Sequence, residues 1–407
     1  MNFYERVKNA IKSMTFNSVG TDIFKIGGRG YSVSGVKVTK ESAMKLGAMF
    51  ACVKVLAETV SSLPLKVYQR TPTGREPAEK HPLYRLLHYS PNPEMGSMTY
   101  FEAAVGQVCT SGDHFGEIVF KGAMPTEIWP LPQDKVQPRR DDNGRLYYHI
   151  DVGSGYDLRS EKILHVRGFS LNGVTGLNPI QYMRETIGLG LAGQEYASRF
   201  FSGDANPSGT LEVPAKLSDP AYKRLHDSIS EGHEGLSKKH RFLLLEEGMK
   251  WNKISMSPED AQLLESRKFT VEDVARFFRM PLHKIQSMDR ATFSNIEHQA
   301  IEFVTDTIRP WLVRFEQEFW MKLIPEAEKD SLYTRFMVEG LLRGDIKTRF
   351  EAYKAGREIG VLNADEIREK EEMNRLPNGL GQTFYMPLNW GPVGVPQKPG
   401  GNNGNNS

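Results

Sequence analysis

The residues best suited to proton transfer or metal binding are the histidines and three acidic pairs, Glu246-Glu247, Glu259-Asp260 and Glu371-Glu372. Their spacing supports neither chemistry. His81, His88, His114 and His165 are scattered, and a histidine without a second ligand at close spacing reads as a surface or satisfied core residue. The acidic pairs fall at turns or helix ends, where a carboxylate caps backbone N–H groups or stays solvated. There is no G-x-x-x-x-G-K-S/T phosphate loop, no H-E-x-x-H and no G-x-S-x-G. Cys52 and Cys109 form neither a metal-ligand spacing nor a disulfide framework, which points to a reducing compartment. No catalytic residue, metal or cofactor is expected.

Local patterns place the remaining polar segments. Residues 1–34 read as a flexible arm. Ala43, Leu46, Met49, Phe50, Val53, Leu56 and Val60 recur at helical spacing over 40–62, and Pro64 stops that helix. A short helix at HPLYRLLHY and a second near 97–111 follow. Between 115 and 167, GEIVFK, TEIWPL, KVQPRR, RLYYHIDV and KILHVR read as strands, with a hairpin turn at DDNG, 141–144. The leading part is therefore α+β, with helices first and a largely antiparallel sheet after them.

Asn178 and Pro179 open a helix over about 179–202. It contains Gly188, Gly190 and Gly193. Each costs roughly 1 kcal/mol against Ala in a helix interior, which a closely packed helix would offset. Residues 208–256 form a small α/β excursion carrying Lys216, Lys223, Arg224, Lys238, Lys239 and Arg241 against Asp219, Asp227, Glu231 and Glu234. Ser257-Pro258-Glu259-Asp260 starts a helix that ends before Pro281, and Ser294-Asn295-Ile296-Glu297 caps another over 295–323, where Pro310 predicts a kink. PLHKIQSMDRATF is the loop between them. A strand and short charged helices occupy about 332–388, and the Gly- and Asn-rich tail from 389 cannot bury enough apolar surface to fold.

The 407 residues suffice for two or three domains, with 39% hydrophobic and 25% charged residues. With 52 basic and 50 acidic side chains, a single large basic clamp for nucleic acid is disfavoured. No run of about 18 apolar residues suggests a membrane span.

Taken in order, the segments resemble a family. AMKLGAMFACVKVLAETVSSLPLKVY, HPLYRLLHYSPNPEMGSMTYFEAAV, EIWPLPQDKVQPRRDDNGRLYYHI, ILHVRGFSLNGVTGLNPIQYMRETIGL, YASRFFSGDANPSGTLEVP, MSPEDAQLLESRKFTVEDVARFF, RATFSNIEHQAIEFVTDTIRPWLVRFEQEF and LLRGDIKTRFEAYKAGREIGVLNADEIREKEEMNRLP are similar to phage portal proteins of the long-tailed branch, over about residues 35–385.

The resemblance implies a portal fold. It has an α+β wing at 35–178, a stem helix at 179–207, a clip at 208–256 and a second stem helix at 257–280. A tunnel loop at 281–294, a long helix returning to the wing at 295–339 and a crown at 340–388 complete it. It further implies a homo-oligomeric ring, expected as a dodecamer, at one capsid vertex in the virion, assembled in the host cytoplasm. Double-stranded DNA would pass through it. The terminase large subunit, a head–tail adaptor, the major capsid protein and the scaffold would be its partners, with no membrane involved. His283, Lys284, Gln286, Ser287, Arg290 and Thr292 would face DNA, with Asp289 limiting the attraction, and the six clip cations would meet a docking partner. Gly188, Gly190 and Gly193 would pack between subunits. A smaller ring-forming adaptor and a packaging ATPase or nuclease are the rival readings. The missing phosphate loop weighs against the second.

Overall fold

The computed structural model describes residues 30–72, 74–202, 209–212, 219–220, 222–223, 250–253, 258–285, 299, 301–338, 346–371 and 373–385. The chain divides into two compact units. The first comprises Met1–Ala291 with Asp306–Phe336, the second Thr292–Thr305 with Met337–Ser407.

The first unit opens with two helices where periodicity predicts one. α1, Lys40–Met44, is closed at its start by a capping box between Thr39 and Ser42. Leu46 is extended and begins α2, Gly47–Ser61. The break turns the Leu46 side chain into the core, where it meets Gly190. β1, Leu65–Thr71, follows Pro64, and β2, Gly74–Pro77, folds back on it. α3, Pro82–Tyr84, continues as a π turn, Arg85–Tyr89, before α4, Ser97–Ser111.

β3, Asp113–Lys121, is central to a three-stranded antiparallel sheet with β4, Met124–Pro130, and β8, Ile163–Arg167. A second sheet holds β5, Val136–Arg140, β6, Leu146–Ile150, and β7, Tyr156–Arg159, the last not anticipated from the sequence. The β5–β6 turn is the predicted one. Asp141 Oδ1 accepts the backbone N–H groups of Asn143 and Arg145 at 2.9 and 2.7 Å. Phe115, Tyr148, Ile150 and Ile163 fill the space between these two sheets.

Asn178 caps α5, Pro179–Tyr182, by accepting from the Gln181 N–H, and after a single-residue break at Met183 the helix resumes as α6, Arg184–Ser202. β9, Gly209–Glu212, pairs antiparallel with β10, Lys250–Lys253. α7, Pro258–Phe277, packs along α6 and against α2. In the described part of the helix predicted over 295–323, two segments follow one another. A π turn, Phe303–Ile308, precedes α8, Arg309–Lys322, and places Pro310 in the first turn of α8. Pro310 has no N–H to give the preceding turn, and the wider π spacing removes the need for one. β11, Leu332–Phe336, then pairs with β1, so the unit's last strand joins its first sheet.

The core where these ends meet is aromatic. Phe101 of α4 lies edge-on to Phe315 of α8 and Phe336 of β11, with centroids 5.6 and 5.8 Å apart. Cys52 and Cys109 are buried beside this region as free thiols, and burial pushes the Cys52 thiol up to about 12. Both should resist alkylation in the native subunit and react at once in denaturant. Rapid labelling of the folded protein would contradict their burial.

The second unit is built around α9, Ile346–Glu358, and α10, Ala364–Lys370. Asn363 and Glu366 cap α10 reciprocally at 2.8 and 2.9 Å. Glu371, one of the acidic residues singled out in the sequence, pairs with Arg349 at 2.8 Å and accepts the Tyr353 hydroxyl at 2.8 Å. It ties the two helices together.

Candidate functional site

The stem glycines occupy the α6 face that packs on neighbouring elements. A Cβ on Gly190 would lie 2.8 Å from Thr270 Cγ2 on α7 and 3.0 Å from Leu46 Cδ1, and one on Gly188 would overlap the Ser32 side chain. At these two positions a small residue is required by neighbours within the same chain. Gly193 is buried as well. Of the loop residues, His283 and Lys284 sit in a 3-10 turn, Leu282–Ile285, with Lys284 exposed. Gln286, Ser287, Arg290 and Thr292 lie outside the described residues, as does the Ser294–Glu297 cap. Lys223 is exposed and helical, whereas Lys216, Arg224, Lys238, Lys239 and Arg241 lie outside the described residues, with His226, His233, His240 and Glu246-Glu247. So do residues 1–29 and the tail from 386.

The sequence reading missed a cavity of about 610 Å³ in the first unit, bounded by α4, the loop after β8, α5, the end of α7 and the start of α8. Its walls are mostly apolar, with Phe169, Leu171, Tyr182 and Phe277 at the mouth. Arg279, which is exposed, and Arg314, which is half-buried, are among its lining residues. Arg314 lies over the Trp311 ring at 5.5 Å. Burial first, and the nearby Arg279 charge second, hold the Arg314 guanidinium below its ordinary value. Among the described residues neither guanidinium has a carboxylate or hydrogen-bond partner; Asp306 also lines the cavity.

Arg279 is also conformationally unusual. Its φ is +52°, and the Met280 N–H bonds back to the Ala275 carbonyl at 2.7 Å. This is the left-handed helix ending where glycine is the usual residue. A non-glycine residue there costs about 1–2 kcal/mol. Pro281, just beyond, was the available sequence signal that a helix cap lay here.

The family model described as phage portal protein matches residues 47–372. The chain is 32% identical to the "Probable portal protein" of Streptomyces phage phiC31, covering 96% of this chain and 88% of that one. It is 28% identical to the "Portal protein" of Enterobacteria phage HK97, covering 91% and 89%. The chain belongs to the phage portal protein family. Its fold is that of a chain in the neck of a native gene transfer agent particle computed with C12 symmetry, with a TM-score of 0.60 at 22% identity, over 83% of this chain and 94% of that one. It is a structural component of the phage head.

The portal chain uses its histidines structurally. His165 Nε2–H donates to Asp113 Oδ1 at 2.9 Å, and its Nδ1 accepts the Tyr148 hydroxyl at 2.9 Å. Asp113 also accepts the Gly176 N–H, and Glu318 accepts the His165 N–H. His114 Nδ1–H donates to Gln107 Oε1, and its Nε2 accepts the Tyr100 hydroxyl. Asp113, His165 and Tyr148 have the order of a proton relay, yet both histidines are fully buried and no substrate could reach them. His81 meets Glu328, and His88 faces the Leu65 carbonyl. Among the described residues no group of His, Cys, Asp and Glu could hold a metal ion, and no helix is long and apolar enough to cross a membrane.

Proposed function

We propose that this portal protein closes into a ring of twelve copies around an axial channel for double-stranded DNA at one capsid vertex, without enzymatic activity of its own. The observation that carries the reading is the family match across most of the chain. The C12 symmetry of a particle neck whose chain shares this fold supports the ring. In this reading residues 35–178 are the wing, 179–207 and 257–280 the stem, 208–256 the clip, 281–294 the tunnel loop and 340–388 the crown. The terminase large subunit, which hydrolyses ATP, and later a head–tail adaptor dock at the clip. The major capsid protein and scaffold surround the wing during assembly in the host cytoplasm. Native mass spectrometry and class averages of the purified protein test this directly. The expected result is a closed ring with an opening wide enough for a duplex; a single folded subunit at every concentration would refute it.

The loop supplies a finer test. Lys284 is exposed in the described part of the loop, and Arg290 follows in its remainder. A few exposed cations bind phosphate weakly at physiological salt, which permits sliding. Lys284→Glu with Arg290→Glu should leave rings intact but reduce DNA packaging or retention. Normal values of both would remove DNA contact from this loop.

A further inference from the structure

The sheet formed by β11, β1 and β2 has two unlike faces. On the inner one Leu65, Val67, Leu332 and Phe336 are buried. On the outer one the strand register sets Lys66 directly opposite Arg335, Tyr68 opposite Tyr333, and Arg70 opposite Arg75. Two pairs of cations thus face each other across neighbouring strands, an arrangement that weakens a sheet. No carboxylate of these three strands shares that face, since their one acidic residue, Glu76, pairs with Gln69 on the other side. Glu316 of α8 lies close enough for the Arg335 charge to oppose the burial that raises its carboxyl. Arg70, Arg75 and Arg335 are exposed and Lys66 is half-buried.

The two tyrosines hold the arginines in place. Their rings stack with centroids 5.7 Å apart and planes 22° apart. Arg70 lies over Tyr333 at 5.4 Å and Arg75 over Tyr68 at 4.9 Å. Stacking orients each guanidinium plane and leaves its N–H edges for an anion. The geometry points to a site on this face for the phosphate backbone of duplex DNA, made by Lys66, Arg70, Arg75 and Arg335. It rests on the conduit reading for the duplex beside the protein, and adds a contact separate in sequence from the loop at 281–294. A duplex fits better than a single strand because the rings that would stack on unpaired bases already carry guanidiniums. It fits better than an acidic protein because this face has no apolar centre of the kind that protein interfaces bury. Phosphate contacts carry no sequence information, so duplexes of any sequence should bind alike.

Binding of a short fluorescent duplex to the full-length protein, followed from about 50 to 200 mM salt, tests this. Arg70→Gln with Arg335→Gln should weaken binding at the lower salt at least about tenfold, and should flatten the log–log salt dependence by about 2, close to one for each lost phosphate contact. The thermal midpoint should move little, because relief of the opposed cations offsets the lost stacking on Tyr333. Rings should form as in the wild type. Lys284→Glu with Arg290→Glu is the comparison, and should leave this share of the salt dependence in place. A glutamine pair that binds the duplex as the wild type does would overturn the inference and leave the conduit reading standing. Tighter binding of poly-L-glutamate than of the duplex would reassign the face to an acidic protein. Loss of rings in the glutamine pair would reassign it to a neighbouring copy. A wild type that binds the duplex through this face without forming rings would refute the ring and keep the site.

Discussion

Phe101→Ala should cost the subunit about 3–5 kcal/mol, the range for removing a fully enclosed aromatic ring. Phe101 is 1% exposed and touches three other phenylalanines, Phe315, Phe319 and Phe336. These come from α8 and β11, so the ring joins an early helix to the last elements of its unit. The void left by alanine cannot close without moving α8 away from β8 and β11, against which it packs. Because a domain's whole stability is about 5–15 kcal/mol, the loss is a large share of it. Chemical denaturation followed by tryptophan fluorescence would measure it. A midpoint shift worth less than about 1 kcal/mol would mean that the aromatic core is not where this unit is held together.

Acid should destabilise the same unit through His114 and His165. Burial pushes His114 from its ordinary value of 6.5 down to about 3, with the neighbouring His165 adding to the effect. Burial likewise holds His165 down, opposed by its bond to Asp113. Each ring donates through one nitrogen and accepts a tyrosine hydroxyl through the other, so a second proton would destroy the accepted bond. The unfolded chain takes up these protons as pH falls below about 6.5, whereas the native chain does not until far lower. The unfolded state therefore binds more protons in that window, and stability falls with pH. The loss is about 1.4 kcal/mol per pH unit for each histidine once the pH is well below 6.5. Unfolding free energies measured from pH 7.5 to 4.5 should decline by several kcal/mol. The decline should shrink in a Tyr100→Phe, His114→Phe variant that stays folded. A flat profile would mean that these histidines are protonated in the native state.

Local chemistry was readable in the sequence where one short segment decides the outcome. The DDNG turn and the Asn178-Pro179 start are of that kind, since a side chain within a few residues satisfies the backbone. The tight setting of the α6 glycines was also legible, but not what they pack against. Ser32, Leu46 and Thr270 come from three distant segments. The pairing of β1 with β11 leaves no trace in either strand. The cavity escaped for a different reason. Its lining comes from segments far apart in the chain, and arginine at a left-handed position such as Arg279 runs against residue preference. The helix over 40–62 was read as continuous because periodicity registers the apolar face and not the extended Leu46.

The pairing of Leu65 with Phe336 has a consequence during synthesis. At about 5–20 residues per second, roughly 15–50 s pass between the emergence of the two strands from the ribosome. Throughout that interval β1 has only the short β2 beside it, and its other edge is open. Nascent chains on neighbouring ribosomes of one message would present identical open edges to each other. Protection of that edge over the half-minute would then bear on the yield of correctly made subunits.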